Sequence, residues 1–292
     1  MILNPQSTTI PFLRTLAVTV GAGANLVQIF GDGTQDALRV SCNIHKTVMG
    51  IPSPSTIQVW NLSADTRSAI QRSLSPIMVE AGWENVTPHV AFRGDVVSCY
   101  SERQGPDIVS KIIALQGSNA IVQGVVAKNY REGTPVKDIV KDLGGLLSGV
   151  TVDEKLLRDI RGRVGNGGWS YVGQVKDGLT QLAKEFGFSW TIDGQALRAV
   201  SDKSKFEGIV LLDGTDGGLM SIAPILNGPL QIRIGVKIKA LYVPGVAPGT
   251  TVRVRNATEK GLEGDYRVHT ADYSLDVGGD DWVMELSSFR YM

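Results

Sequence analysis

From Glu207 to the C-terminus, apolar and polar residues alternate in one short segment after another. Ile232, Ile234, Val236, Ile238 and Ala240 fall on one side of an extended chain, while Gln231, Arg233, Lys237 and Lys239 fall on the other. Val252 and Val254 alternate with Arg253 and Arg255, Tyr266 and Val268 with Arg267 and His269, and Trp282, Met284 and Leu286 with Val283, Glu285 and Ser287. A period of two belongs to a half-buried strand, whereas an amphipathic helix repeats at about 3.6. Pro244-Gly245 and Pro248-Gly249 turn the chain between runs. The pattern predicts an antiparallel sheet or small barrel.

The first 118 residues carry the same signature with helices added. Strands are predicted over 12–20, 26–30 and 38–45, and Leu38, Val40, Cys42 and Ile44 alternate cleanly with Arg39, Ser41, Asn43 and His45. After a stiff Ile51-Pro52-Ser53-Pro54 connection, Ile57 and Val59 alternate with Gln58 and Trp60. Ser63 and Asp65 suit the start of a helix running to about Leu74, and Pro76 closes it. Ile77, Val79 and Ala81 mark the next strand. A longer one follows over 89–100, with a bend or bulge expected at Arg93-Gly94-Asp95 rather than an adhesion signal, because apolar residues run on both sides. Gly105-Pro106-Asp107 reads as a turn and helix start, with Ile108, Val109, Ile112 and Ile113 on one helical face.

Residues 119–206 have a different rhythm. A strand over 120–130, assignable either to this segment or to the last domain, precedes Thr134-Pro135, a cap and first-turn proline. Val136, Ile139, Val140, Leu143 and Leu147 then form a helical stripe. Thr151 and Glu154 resemble a capping box ahead of Leu156, Leu157 and Ile160, with Gly162 as the stop. Arg158, Arg161 and Arg163 lead into a glycine-rich stretch ending at Trp169, expected to be an exposed loop with partner contact as its use. Val175, Leu179, Leu182, Ala183 and Phe186 make the best amphipathic helix, Gly187 ends it, and Phe188, Trp190 and Ile192 pass through Asp193-Gly194 into a hairpin partner over 196–200. The expected class is therefore α+β, mainly β: two β domains, 1–118 and 207–292, with a small α/β module over 119–206 between them.

A search for chemistry excludes most enzyme classes. The three histidines, His45, His89 and His269, lie far apart and outside metal-binding spacing. Gly21-Ala22-Gly23 lacks the third glycine of a dinucleotide fingerprint, the arginine loop lacks the P-loop lysine, and no serine elbow or HExxH occurs. Asp213/Asp216 and Asp280/Asp281 sit in glycine-rich loops that turn formation explains, and the run from Asp276 to Asp281 lacks the calcium-loop ligand pattern. Cys42 and Cys99 are expected as reduced, buried thiols. Twenty-nine basic residues balance twenty-nine acidic ones, which argues against wholesale coating of nucleic acid or anionic membrane. No apolar run spans a bilayer, and the N-terminal stretch lacks an early basic segment and a continuous apolar core. Neither an anchor nor a signal peptide is expected, and synthesis in a host cytoplasm is.

Several segments together resemble phage tail baseplate hub proteins, the family of late control protein D and of type VI secretion spike bases. In the first domain the likeness rests on Val59-Trp60-Asn61-Leu62-Ser63, Thr66 and Ile70, Val79-Glu80-Ala81-Gly82-Trp83, Phe92-Arg93-Gly94-Asp95-Val96, and Asp107 with Ile112 ahead of Gln116-Gly117. Gln116 stands where many relatives carry aspartate. In the module it rests on the corner from Leu182 to Trp190. In the last domain it rests on Leu241 to Gly249, the Gly264-Asp265-Tyr266-Arg267-Val268 strand, and Asp281 to Leu286.

The resemblance implies two tail-tube-like barrel or sandwich domains and a structural, non-enzymatic protein of the virion without cofactor or metal. It implies a homotrimeric ring that adapts a six-fold tail tube to a three-fold central spike. Tail tube protein, spike and other baseplate proteins are then its neighbours, and tape measure protein and DNA pass through its channel without sequence-specific binding. The basic strand residues Arg233, Lys237, Lys239, Arg253 and Arg255 can line that channel, pair with acidic groups on a neighbouring subunit, or be solvated. Arg158, Arg161, Arg163 and Trp169 are candidates for partner contact. The competing reading is a carbohydrate- or cell-wall-binding module that uses Trp60, Trp83, Trp169, Trp190 and Trp282 as sugar platforms.

Overall fold

A computed structural model of the chain describes residues 14–22, 26–31, 37–47, 54–71, 75–83, 88–117, 124–152, 157, 160–193, 196–201, 209–225 and 234–290. The chain divides into two compact units. One draws on Met1–Lys46, Ser53–Leu115 and Phe206–Met292, and the other on Thr47–Pro52 and Gln116–Lys205.

The larger unit is a sheet of thirteen strands. Its N-terminal half contains β1 (Arg14–Val20), β2 (Val27–Gly31), β3 (Val40–Thr47), β4 (Ser55–Trp60), β5 (Pro76–Trp83), β6 (His89–Gln104) and β7 (Asp107–Leu115). Its C-terminal half contains β13 (Ile209–Asp213), β14 (Leu219–Ile225), β15 (Ile234–Leu241), β16 (Thr251–Arg255), β17 (Gly264–Asp276) and β18 (Trp282–Arg290). The main path runs β14-β15-β18-β17-β3-β4-β7-β6-β5-β1-β2, with β16 beside β17 and β13 beside β16. The register within each half is antiparallel except for β13 with β16.

The two halves, expected as separate domains, are thus one sheet joined where β17 pairs with β3. They also share one core. Val40, Cys42, Ile44, Val59 and Phe92 from the first half are buried in the same cluster as Val236, Ile238, Tyr266, Trp282 and Leu286 from the second. Each fully buried aliphatic residue of this kind contributes about 1.5–3 kcal/mol relative to exposure. Merging two small cores removes more apolar surface from water than either half could alone.

The central stretch departs from the sequence expectation at its end. Residues 107–115 are strand β7 rather than a helix: β7 pairs with β6 on one side and β4 on the other. Ile112 and Ala114 point into the shared core, Val109 is buried on the opposite face beside Trp60, and Ile113 is half-buried on that same face. The β-branched run Ile108-Val109 and Ile112-Ile113 favours a strand, and Gly105 at φ 62° makes the tight turn that returns the chain beside β6. Helix α1 (Ala64–Gln71) does form, with the Thr66 amide donating to Ser63 Oγ at 3.1 Å. It is the one helix of eight residues or more among the described residues of this unit.

The irregularities of β6 flank Gly94 instead of falling on it. Register slips occur where Val79-Glu80 faces Val90 to Phe92, and between Val96 and Ser98. Gly94 itself is in register, and a Cβ there would collide with the Leu115 carbonyl on the neighbouring strand. The Arg-Gly-Asp triplet is a strand whose glycine permits that close approach.

In the smaller unit, β8 (Val125–Tyr130) pairs with β10 (Trp169–Gln174), which places the 120–130 strand here and not in the last domain; residues 118–123 lie outside the described set. Helices α2 (Val136–Gly145) and α3 (Val175–Phe186) pack on this pair and on a small sheet of β11 (Phe188–Asp193), β12 (Ala196–Ser201) and β9 (Thr151–Val152). Thr134 does not cap α2. Its hydroxyl donates to the Arg131 carbonyl at 2.7 Å, and the extended residue at the helix start is Pro135. Thr151 lies in β9, parallel to β12, so it starts no helix. Leu157 and Ile160 are buried, and Glu154, the expected partner of Thr151 in a capping box, lies outside the described residues. The α3 stripe is as predicted, with Val175, Leu179 and Leu182 fully buried and Gly187 ending the helix in a left-handed conformation.

Candidate functional site

Every second residue of a strand faces away from the core, so the outward face of the larger unit's sheet is its natural contact surface. On β15, Lys237 and Lys239 point outward, and both meet Glu285 on β18, at 2.6 and 3.9 Å. Hydrogen bonding to Lys237 holds the Glu285 carboxyl below its ordinary range and raises Lys237 in turn. Arg253 on β16 makes a two-pronged pair with Asp265 on β17, at 2.6 and 2.8 Å. That pairing lowers Asp265. Arg255 is exposed, and Arg233 lies outside the described residues. Of the predicted basic set, the four described residues are Lys237, Lys239, Arg253 and Arg255, and the first three are matched by carboxylates of the same chain.

The same balance extends across the seam. His45 on β3 contacts Asp272 on β17, and Lys111 on β7 meets Glu102 on β6 at 2.6 Å. Between them the outward positions on β3 and β4 include the uncharged polar Ser41, Asn43, Thr56 and Gln58, with Trp60 beneath Arg39 at the end of β4. The face carries charges of both signs, arranged in pairs.

The acidic loop after β17 is taken up by arginines. Arg14 donates to the backbone carbonyls of Asp276 at 3.2 Å, Gly279 at 2.6 Å and Asp280 at 3.3 Å. Arg39 donates to the Asp276 carboxylate at 2.8 Å while its guanidinium lies 4.5 Å from the Trp60 ring centre. Asp213 accepts from the Thr215 amide and the Asn256 side chain, which lowers its pKa. Among the described residues, no three His, Cys, Asp or Glu side chains converge as metal ligands. Cys42 and Cys99 are unpaired thiols, buried and half-buried, and burial pushes both pKa values up.

The arginine loop is only partly the exposed contact surface expected of it. Arg161 and Arg163 are exposed, and Arg163 Nη1 donates to the Gly133 carbonyl at 2.7 Å; Arg158 lies outside the described residues. Trp169, expected in the exposed loop, opens β10 and is only 7% exposed. Its ring stacks on Tyr171 with centres 5.5 Å apart and meets Tyr130 at 5.8 Å, inside the core of the smaller unit. Trp190 and Trp282 are also buried, Trp83 packs edge-on against Trp282, and Arg39 covers Trp60. The tryptophans serve packing, and they form no shared sugar platform.

What the sequence reading passed over is a set of exposed apolar residues at the ends of the large sheet. Phe30 occupies an outward position on β2, where alternation would place a polar residue, and Met220 stands out on β14 at a register slip. The break in alternation at Phe30 was the available signal.

A family model described as baseplate hub gp41 matches residues 16–287. No curated protein sequence matches the chain significantly. Among solved structures, the chain is similar to a tail protein from Neisseria meningitidis MC58, at 12% identity and a TM-score of 0.63, covering 94% of this chain and 96% of that one. It is equally similar to the 43 kDa tail protein of prophage MuSo2 from Shewanella oneidensis, at 12% identity and a TM-score of 0.64 over the same shares. The E. coli c3393 protein, a type VI secretion component with structural similarity to T4 tail proteins gp27 and gp5, aligns at 10% identity and a TM-score of 0.57, covering 89% of this chain and 76% of that one. At such identities the structures speak for the fold. The family match spans nearly the whole chain, and the chain accordingly belongs to the baseplate hub gp41 family of phage tail structural proteins.

Proposed function

We propose that this hub protein forms a trimeric ring at the baseplate end of a phage tail. The observation that carries the reading is the seam: two β-rich halves stand side by side in one sheet, joined strand to strand through β17 and β3. Three copies of such a subunit offer six β-rich halves to a six-fold tail tube, and the three-fold repeat of the whole chain suits a central spike. Symmetry matching of this kind needs large interfaces and no catalysis, so the role is structural, with other baseplate proteins at the periphery.

The paired charges and uncharged polar side chains of the outward sheet face support its use as the channel wall. A face with unmatched lysines and arginines would hold DNA through its phosphates. One in which Glu285, Asp265 and Glu102 neutralise the nearby cations lets tape measure protein and DNA pass without sequence-specific binding. Labelling intact tails with antibody against the chain tests the placement. Label confined to the baseplate end is expected, and label along the whole tube would contradict it.

A further inference from the structure

Gly165-Asn166-Gly167-Gly168 forms the tip of the glycine-rich stretch that leads into β10, and the structural role proposed above makes no use of it. The Gly168 amide donates to the Gly165 carbonyl at 3.1 Å, and Gly167 has a φ of 96°. Left-handed backbone at the third position of a four-residue turn is the type II pattern, and it places Asn166 second. Both sides of the turn are held. Val164 exchanges backbone hydrogen bonds with Gly133 and Thr134, at 2.9 and 3.0 Å, and Trp169 is buried. The tip itself lies in solvent: Asn166 and Gly167 are exposed, and among the described residues no atom beyond the chain neighbours of Gly167 lies within 4 Å of where a Cβ on it would stand.

The side-chain carbonyl carbon of an asparagine can close a ring with the nitrogen of the following peptide, and any side chain on the following residue hinders the approach. Glycine has none. We propose that Asn166 is a site of spontaneous deamidation, which turns its neutral amide into a carboxylate. The Gly167 nitrogen gives up its proton and attacks Asn166 Cγ. The new N–Cγ bond forms as the Cγ–Nδ2 bond breaks, and Nδ2 leaves as ammonia with a proton in place of the one lost. Water then opens the resulting succinimide at either carbonyl. Opening at Cγ gives aspartate, and opening at the backbone carbonyl gives isoaspartate, whose main chain runs through Cβ. One water enters and one ammonia leaves, so the step needs no oxidant, reductant or enzyme. Either product places a negative charge a few residues from Arg161 and Arg163, both exposed, and so offsets the positive charge of that stretch. The proposal stands independently of the ring.

Peptide mapping of the folded, full chain after incubation in mildly alkaline buffer tests this. Cleavage after Arg163 and Lys176 isolates residues 164–176, in which Asn166 is the sole asparagine. The other Asn-Gly pair of the sequence, Asn227-Gly228, lies outside the described residues and falls in a separate peptide. Incubation in heavy-oxygen water marks conversion that precedes digestion. Aspartyl and isoaspartyl forms of the 164–176 peptide should accumulate at least about tenfold faster than those at exposed Asn129, which a tyrosine follows. Gly167→Ala should slow the conversion by a similar factor. Because a φ of 96° strains an alanine, Asn166→Gln is the second variant; it leaves the backbone alone, and its longer side chain should leave the peptide unconverted over the same time. An Asn166 that keeps its amide in the folded chain while the chain unfolded in urea converts, or that converts no faster than Asn129, would overturn the assignment. So would a Gly167→Ala chain that converts as fast as wild type at an unchanged melting temperature.

Discussion

Asp142 on α2 receives two donors from β8, Lys128 Nζ at 2.8 Å and the Tyr130 hydroxyl at 2.6 Å. The lysine bond is the larger cause and the tyrosine bond the next in holding the Asp142 carboxyl below its ordinary 3.8, while burial and the carboxylate push the Tyr130 phenol up. A carboxyl whose folded pKa is depressed stabilises the fold fully above its ordinary pKa and loses that contribution as pH falls through the depressed value. The Asp142→Asn chain should therefore be less stable than wild type at about pH 6, by a few tenths to about 1 kcal/mol given the partial exposure of the pair, and the gap should narrow in acid, as pH falls below the ordinary 3.8. Urea midpoints of both chains under the two conditions check this; a gap that persists in acid would mean that the carboxylate is not what β8 reads. At this scale the sequence announced the core better than the pairs. Val40, Ile57, Leu179 and Trp190 declare their burial by spacing, whereas Lys237 and Glu285, or Arg253 and Asp265, are matched only once strand order is known. Trp169 misled because glycines precede it, and a loop before a residue says nothing of the residue that ends it.

The largest revision lies at the element scale, in residues 107–115. Ile108, Val109, Ile112 and Ile113 satisfy a helical face as well as two strand faces, and a nine-residue segment this short cannot separate the two by periodicity alone. The deciding facts are tertiary, since β4 and β6 flank the segment and their backbone groups need partners. Strand geometry makes a sharp prediction. Ile112→Ala should cost about 2–5 kcal/mol, as for other fully buried aliphatics, while Ile113→Ala, one position along on the opposite face, should cost well under half as much. Chemical denaturation of the two variants measures it, and equal large losses would favour the helical arrangement. The slips around Gly94 were likewise illegible. Glycine marks a place where backbones approach closely, but the extra residues that bend β6 are Ala91 and Val97, which carry no local signature.

At the scale of the molecule, the sequence spoke for the mainly β class, the α/β module and the family, because alternation, caps and turns are local. It did not reveal that the first and last thirds share a sheet and a core, because pairing β3 with β17 spans more than two hundred residues and leaves no pattern in either strand. That seam is the basis for reading the protein as a two-halved ring subunit, so the state of association is the quantity to measure. Light scattering across a concentration series should give a mass of three times the 31.3 kDa chain, constant over a wide range as a closed ring requires. A mass of one chain at every concentration, unchanged by added tail tube or spike protein, would contradict the account.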